Sequence, residues 1–407
     1  MKAGWEVRPL GEVCSKIGSG ATPIGGSAAY KREGISLVRS LNVHDLEFRS
    51  KDLAKIDEVQ ARALSNAEVK SGDVLLNITG ASVARCSPVP DEFLPARVNQ
   101  HVAILRPKSE VLVTKFLSYL LVSPGVKGRL LGIGEDGGST RQALTKAQML
   151  EFPIPLPPLE EQHRIVALLD EAFEGLSRAR ANAEANLADA SQFLSKFAAE
   201  LVFSQQVEQP PMIRLGSIVT RLTNGYVGPT RDIYLDSGVP YLLARHVRNN
   251  ELQFDGRTFV SDVFNEKHKK SKLKTGDVLL VQSGHIGHSA VVPDEHHGHN
   301  CHAMIVLTPK AEILSGEYLS AVFNTSRFQA VFQGIRTGST VPHLTCGMVK
   351  ELTVPVPSVE RQHYICGQIA ELRIHCDALQ ASYSSRVEEI DHLRRSILDR
   401  ALSGELT

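Results

Sequence analysis

Two stretches of the chain carry apolar or small residues at alternating steps of three and four, the spacing of a coiled-coil seam. In the first, Ile165, Leu169, Ala172, Leu176, Ala179 and Ala183 keep heptad phase. One extra four-residue step leads to Leu187, and the series continues through Ala190, Leu194, Phe197 and Leu201. In the second, Ile365, Ile369, Leu372, Cys376, Leu379, Tyr383, Val387 and Ile390 precede Ile397 and Ala401, with the stutter at the matching place. Residues 160–204 hold no proline and a single glycine, Gly175. Both stretches are predicted as long helices.

The rest of the chain has another pattern. Short β-branched runs at 74–78, 102–105, 278–282 and 303–307 predict strands, separated by Gly, Pro and Asp. Residues 113–122 and 316–332 predict helical segments. Proline-rich extended segments, 153–158 and 355–358, precede the two long helices. The elements therefore describe an α+β globular domain followed by a helix, twice over.

The copies are legible residue by residue. Glu151, Pro155, Pro157, Glu160, Gln162 and His163 recur without a gap as Glu351, Pro355, Pro357, Glu360, Gln362 and His363. Lys70-Ser71-Gly72-Asp73-Val74-Leu75-Leu76 returns as Lys274-Thr275-Gly276-Asp277-Val278-Leu279-Leu280, and Gly138-Ser139-Thr140 as Gly338-Ser339-Thr340. A repeat of this length is a duplicated domain, because solenoid periods run nearer 20–50 residues. The expected organisation is a first globular domain at 1–157, a helix at 158–204, a second domain at 205–357 and a second helix at 358–407.

Seam composition predicts which helices pair. The first is rich in alanine and the second in bulky side chains. Antiparallel with ends in register, Ala172 meets Ile390, Ala179 meets Tyr383, Ala183 meets Leu379 and Ala190 meets Leu372. Each alanine then faces a large partner, which fills an interhelical core without voids.

Charge refines the picture. The net charge is zero, but residues 158–204 hold four Lys/Arg against eight Asp/Glu, and residues 358–407 hold six against eight. The globular parts are therefore mildly basic, which permits DNA binding by them. Six scattered cysteines (Cys14, Cys86, Cys301, Cys346, Cys366 and Cys376) form no CxxC pair and match at no repeated position. With no basic-then-apolar leader and no apolar run of membrane-spanning length, a reducing cytoplasm is expected.

Catalytic signatures are missing from the sequence. It carries no glycine-rich S-adenosylmethionine loop after a strand, no Asn/Asp-Pro-Pro-aromatic tetrapeptide, no phosphate-cradling Gly-x-x-x-x-Gly-Lys and no Gly-x-Ser-x-Gly elbow. His296, His297, His299, Cys301 and His302 have the residue types of a zinc site. The first copy has one histidine in that region, His101, which argues against a metal. His101 and His302 match across copies and are expected to hold a hydrogen bond at a strand start. Gly72-Asp73 and Gly276-Asp277 read as turns, and Glu160, Gln162 and His163 with their twins as helix starts.

Taken in order, these motifs resemble the DNA specificity (S) subunits of type I restriction–modification systems, over essentially the whole length. The resemblance rests on Pro158 to Gln162 and Ser358 to Gln362 opening the helices, the Gly-Asp-Val-Leu-Leu strands and the Gly-Ser-Thr segments. It also rests on Thr22-Pro23, on 30–38 echoed by 234–243, and on Ser396-Ile397-Leu398 with Ala401-Leu402-Ser403-Gly404-Glu405-Leu406. Ser358 departs from the proline of the first copy. The resemblance implies two target-recognition domains separated by an antiparallel coiled coil with pseudo-two-fold symmetry. It further implies a subunit without catalytic activity or cofactor of its own, serving in phage defence. Such a subunit scaffolds two methyltransferase (M) subunits, which bind S-adenosylmethionine, and restriction/translocase (R) subunits. It selects a bipartite site in double-stranded DNA, with the helices setting the spacer.

Candidate DNA contacts are polar, lie on loops and occur in both copies. Arg39 and Asn42 are matched with Arg245 and Arg248, since Arg suits guanine and Asn adenine. Thr140, Arg141 and Gln142 follow Gly137-Gly138, with Thr340 and His343 answering them. Thr79, Ser82 and Arg85, then Ser283, His285 and His288, lie just past the central strands, and Thr22 completes the set. Two other readings stay open: an enzyme with duplicated recognition domains, which lacks a cofactor motif, and a coiled-coil adaptor that binds protein without reading DNA.

Overall fold

The computed structural model of the chain describes residues 4–135, 143–203, 210–248, 250–337 and 342–406. The chain divides into two compact units, residues 1–182 with 386–407, and residues 183–385.

In the first unit, strands run in the order Cys14–Ser19, Val102–Pro107, Val74–Asn77, Cys86–Pro88, all antiparallel. A second sheet has the order Ala54–Ile56, Ile35–Val38, Ala96–Val98, Glu68–Val69, and its two middle strands are parallel. The 74–77 strand is buried on both faces, because successive side chains point to opposite sides. Val74 and Leu76 enter a core shared with the helices, whereas Leu75 enters a core shared with the second sheet. That is why the run is uninterrupted rather than alternating in hydrophobicity.

The second unit repeats this plan. Its main sheet has the order Val219–Asn224, Met304–Pro309, Val278–Val281, Ser289–Val291, and Asn300–Cys301 lies parallel to Val239–Leu242 in the other. Val278 and Leu280 face one core, Leu279 and Val281 the other. The region expected as one helix at 316–332 is two, Gly316–Phe323 and Ser326–Ile335. Thr325 makes the break by accepting a hydrogen bond from the Phe328 amide and starting the second helix.

The long helices are α1 (Leu159–Phe203, 45 residues) and α2 (Val359–Leu402, 44 residues). Segments of both contribute to each unit, and within each they pack antiparallel. In the first unit, Ile165, Leu169 and Phe173 of α1 share a core with Leu398, Ala401 and Leu402 of α2. In the second, Ala198 and Val202 share a core with Ile365 and Ile369.

The alanine-to-bulky register differs from expectation. Phe173, expected opposite Glu389, carries the guanidinium of Arg394 at 4.6 Å from its ring centroid. Arg180, expected opposite Ser382, is ion-paired with Asp391. Ala179, expected to meet Tyr383, is exposed, and Leu379, expected to meet Ala183, is 48 % exposed. Seam volume alone does not set register here. In the first unit the packed segments are drawn into the domain core, where Ile165, Leu169, Leu398 and Ala401 are all nearly inaccessible. Of the other expected seam positions, Ala190, Ile365 and Ile369 are buried, and Ala172, Leu176, Leu187, Phe197, Leu372, Tyr383, Val387, Ile390 and Ile397 are half-buried.

Candidate nucleic-acid interface

In the first unit, polar side chains converge where the strands of both sheets end. The Thr22 hydroxyl donates to Gln100 Oε1, and Gln100 Nε2 lies 3.1 Å from His101 Nε2. His101 Nδ1 in turn lies 2.6 Å from Thr79 Oγ1. The backbone holds this chain of groups in place. Asn99 Oδ1 accepts from the His101 amide at 3.0 Å, and the His101 carbonyl accepts from Ile78 at 3.0 Å. Gly20 lets the following loop cross the strand end, since a Cβ there would stand 1.7 Å from the Val98 carbonyl oxygen. Thr22 and Gln100 are exposed, while Thr79 and His101 are half-buried. The result is a surface of alternating donors and acceptors, anchored from below and open above, suited to base edges or phosphates.

Thr79 also bridges to Ala143, and in the second unit Ser283 bridges to His343. The loop after the central strand thus meets the segment after the Gly-Ser-Thr motif in both copies. Thr140, Arg141, Gln142 and Thr340 lie outside the described residues. Ser82 and Arg85 occupy a tight turn with Ala84 at φ 64°, where the Arg85 amide donates to the Ser82 carbonyl at 3.2 Å.

Asn42 is not available for base contact. It is fully buried; its Oδ1 accepts from the Arg39 amide at 3.1 Å, and its Nδ2 donates to the Arg49 carbonyl at 2.8 Å. Arg39 is half-buried, with its guanidinium 5.3 Å from the Tyr30 ring centroid. The matching with Arg245 and Arg248 slips by two residues. The counterpart of Asn42 is His246, whose Nδ1 accepts from the Leu243 amide at 3.1 Å in the same kind of turn. Asn42 and His246 are thus equivalent turn-holding groups, a substitution that residue type does not reveal.

Arg245 is exposed but ion-paired with Asp255 at 3.0 Å. Arg248 and His288 line a cavity of about 520 Å³ with Leu194 and Ala198 of α1 and Ile369 and Arg373 of α2. Those two candidates therefore border the helices. His285 is exposed, with its ring centroid 5.8 Å from that of His288.

Of the histidines at 296–302, His296 and His299 lie together, whereas His297 and His302 have other neighbours. His296 Nδ1 lies 3.2 Å from His299 Nδ1, His297 Nδ1 accepts from the Thr275 amide at 3.3 Å, and His302 lies beside Tyr226. Among the described residues no three His, Cys, Asp or Glu groups are gathered as a metal site. Burial holds the His296, His299 and His302 imidazoles below the ordinary histidine value.

His101 holds the hydrogen bond expected of it at a strand start, to Thr79; Gln100 is not among the expected contacts, and the Asn99-Gln100-His101 tripeptide before a strand is the signal that marks it. Asp73 and Asp277 also do more than make a turn. Each is fully buried and accepts from the amide three residues earlier at 2.7 Å. Asp73 is paired with Arg106 from one strand, Asp277 with Arg221 from another.

The model of the family described as "Type I restriction modification DNA specificity domain" matches residues 2–185 and again 212–381. The chain belongs to the type I restriction–modification DNA specificity family. Among curated relatives, this specificity protein is 23 % identical over 344 residues to the EcoBI specificity subunit of Escherichia coli, covering 77 % of the chain and 70 % of the relative. It is 20 % identical to the EcoKI specificity subunit of Escherichia coli strain K12, covering 99 % of the chain and 89 % of the relative. Its fold matches a chain solved in work on complex assembly and conformational transition of the type I R-M system. That match has TM-score 0.76 and 21 % identity, covering 100 % of this chain and 99 % of that one. It also matches the HsdS subunit from Thermoanaerobacter tengcongensis, with TM-score 0.59 and 20 % identity, covering 100 % and 98 %. No helix among the described residues is long and apolar enough to cross a membrane.

Proposed function

We propose that this chain is the non-catalytic sequence-reading subunit of a cytoplasmic type I restriction–modification complex. Each recognition domain reads one half of a bipartite asymmetric site in duplex DNA, and the paired helices fix the unspecified spacer. The chain scaffolds two adenine-methyltransferase subunits, which bring S-adenosylmethionine, and joins restriction/translocase subunits. The observation that carries this reading is the doubling. The family match falls once on each half, and both halves end the central strand in a polar turn bridged to the segment after the Gly-Ser-Thr motif, Thr79 to Ala143 and Ser283 to His343. A helix of 45 residues at about 1.5 Å rise is about 65–70 Å long, comparable to two duplex turns of about 34–36 Å each.

The adaptor reading is separated by mobility shift with random duplex, with and without an adenine-methyltransferase partner. Retention of DNA by the assembled complex supports the proposal. A complex that assembles and retains no DNA contradicts it and favours the adaptor.

A further inference from the structure

Residues 262–274 of the second unit form a helix, Asp262–Lys267, and a turn, Lys269–Ser271, matching Glu58–Ala63 and Ser65–Ala67 in the first. The two copies differ sharply in charge. Residues 58–70 carry two cations, Arg62 and Lys70, against two acids, whereas residues 262–274 carry five lysines against two acids. Lys272 is spent on an ion pair with Glu266. Lys267, Lys269, Lys270 and Lys274 are exposed, and none of them forms an ion pair within the described residues.

This segment is firmly seated. Ser271 and Leu273 are buried between the lysines, and Ser271 Oγ donates to Asn300 Oδ1 at 2.5 Å. Asn300 Nδ2 donates back to Asn265 Oδ1 at 2.8 Å. The segment also adjoins the recognition surface. Tyr226, at the end of the 219–224 strand, packs its ring 4.6 Å from His268 and 5.1 Å from Phe264. Tyr226 is bridged to His302, the counterpart of His101.

We infer that the 267–274 lysines are a phosphate-binding edge of the second recognition domain, gripping the DNA backbone beside its half-site. The inference rests on the DNA-reading role proposed above. It gives the two half-sites unequal electrostatics, because the first domain has no corresponding edge. An exposed row of cations next to a base-reading surface fits the duplex backbone, and neutralising each phosphate contact steepens the salt dependence of binding.

The test is a salt titration of duplex binding by the complex assembled with its methyltransferase, using the duplex that complex methylates. In the triple variant K267Q/K269Q/K270Q, the slope of log K against log salt becomes shallower by about 2–3, at about 0.9 per lost phosphate contact. Site preference is retained, and the triple Lys→Arg variant keeps the original slope. A selective complex whose slope is unchanged overturns this inference alone. Weakened methyltransferase assembly without DNA, read by sedimentation velocity, also overturns it by assigning the lysines to an acidic protein face. An unaltered complex with no preference for its duplex over random sequence overturns both this inference and the functional reading.

Discussion

Gln162 and Gln362 make the same three hydrogen bonds. The Gln162 side chain accepts from the Val113 amide at 2.8 Å and donates to the Val111 and Pro157 carbonyls at 2.9 and 2.8 Å. Gln362 accepts from the Ser315 amide at 2.8 Å and donates to the Ile313 and Pro357 carbonyls at 2.8 and 2.9 Å. Both are fully buried. Each glutamine fastens the first turn of a long helix to the loop of the domain before it, so the helix leaves its domain in a set direction.

Replacing either glutamine by alanine strands three backbone groups. A buried donor or acceptor left unsatisfied costs about 1–3 kcal/mol, so Gln162→Ala or Gln362→Ala is expected to destabilise by at least about 2 kcal/mol. Urea unfolding measures this. A change under about 0.5 kcal/mol would show that the latch is dispensable.

The buried carboxylates Asp73 and Asp277 predict an asymmetric pair of mutants. Arg106 binds Asp73 through two nitrogens, at 2.7 and 2.8 Å, and no other side chain donates to that carboxylate among the described residues. Asp277 has Arg221 and also the hydroxyl of Thr308, which donates at 2.5 Å. Removing one partner of a buried pair costs about 3–5 kcal/mol. Arg106→Ala should therefore cost about that much and Arg221→Ala less, as read by the denaturation midpoints. Equal losses would count against the Thr308 contribution.

Acid should weaken the second unit. Burial depresses the His246, His268, His288, His296, His299 and His302 imidazoles, with Asp255 opposing the effect at His246. A histidine with a depressed value in the fold contributes stability that is fully present above the unfolded value of about 6.5. It is lost as pH falls below that value, because the unfolded chain takes up protons first. Amide exchange in the Val278–Val281 strand should be faster at pH 5.5 than at pH 7 after correction for intrinsic rates; unchanged protection would contradict this.

His101→Ala breaks the relay between Gln100 and Thr79. Loss of a good base contact costs about 1–3 kcal/mol of discrimination, about 10- to 100-fold. Methylation mapping should show one half-site relaxed and the other intact. Relaxation of both half-sites together would assign His101 a structural role.

The strands and helices were legible in sequence because their hydrophobic periods are strong, and the repeat supplied each assignment twice. The runs at 74–78 and 278–282 emerged as Val74–Asn77 and Val278–Val281. Failures came where tertiary contacts decide. Asn42 has the residue type of an adenine reader but is consumed by three backbone groups of its own loop, Arg39, Arg49 and Lys51. Helix register followed the burial of Ile165 and Leu398 in a domain core rather than the alanine pattern. The candidate interface was half legible. Thr79 and Thr22 stood out as polar loop residues, but the relay joining them through Gln100 and His101 needs the strand ends brought together.

In the proposed function one domain reads each half-site while the helices set the distance between them. Its most direct test is methylome sequencing of cells carrying the chain, with an adenine-methyltransferase partner, before and after inserting four residues next to Ala183. The expected result is a bipartite motif whose two half-sites are unchanged and whose unspecified spacer changes length. An altered half-site with the original spacer, or a single continuous motif, would contradict it.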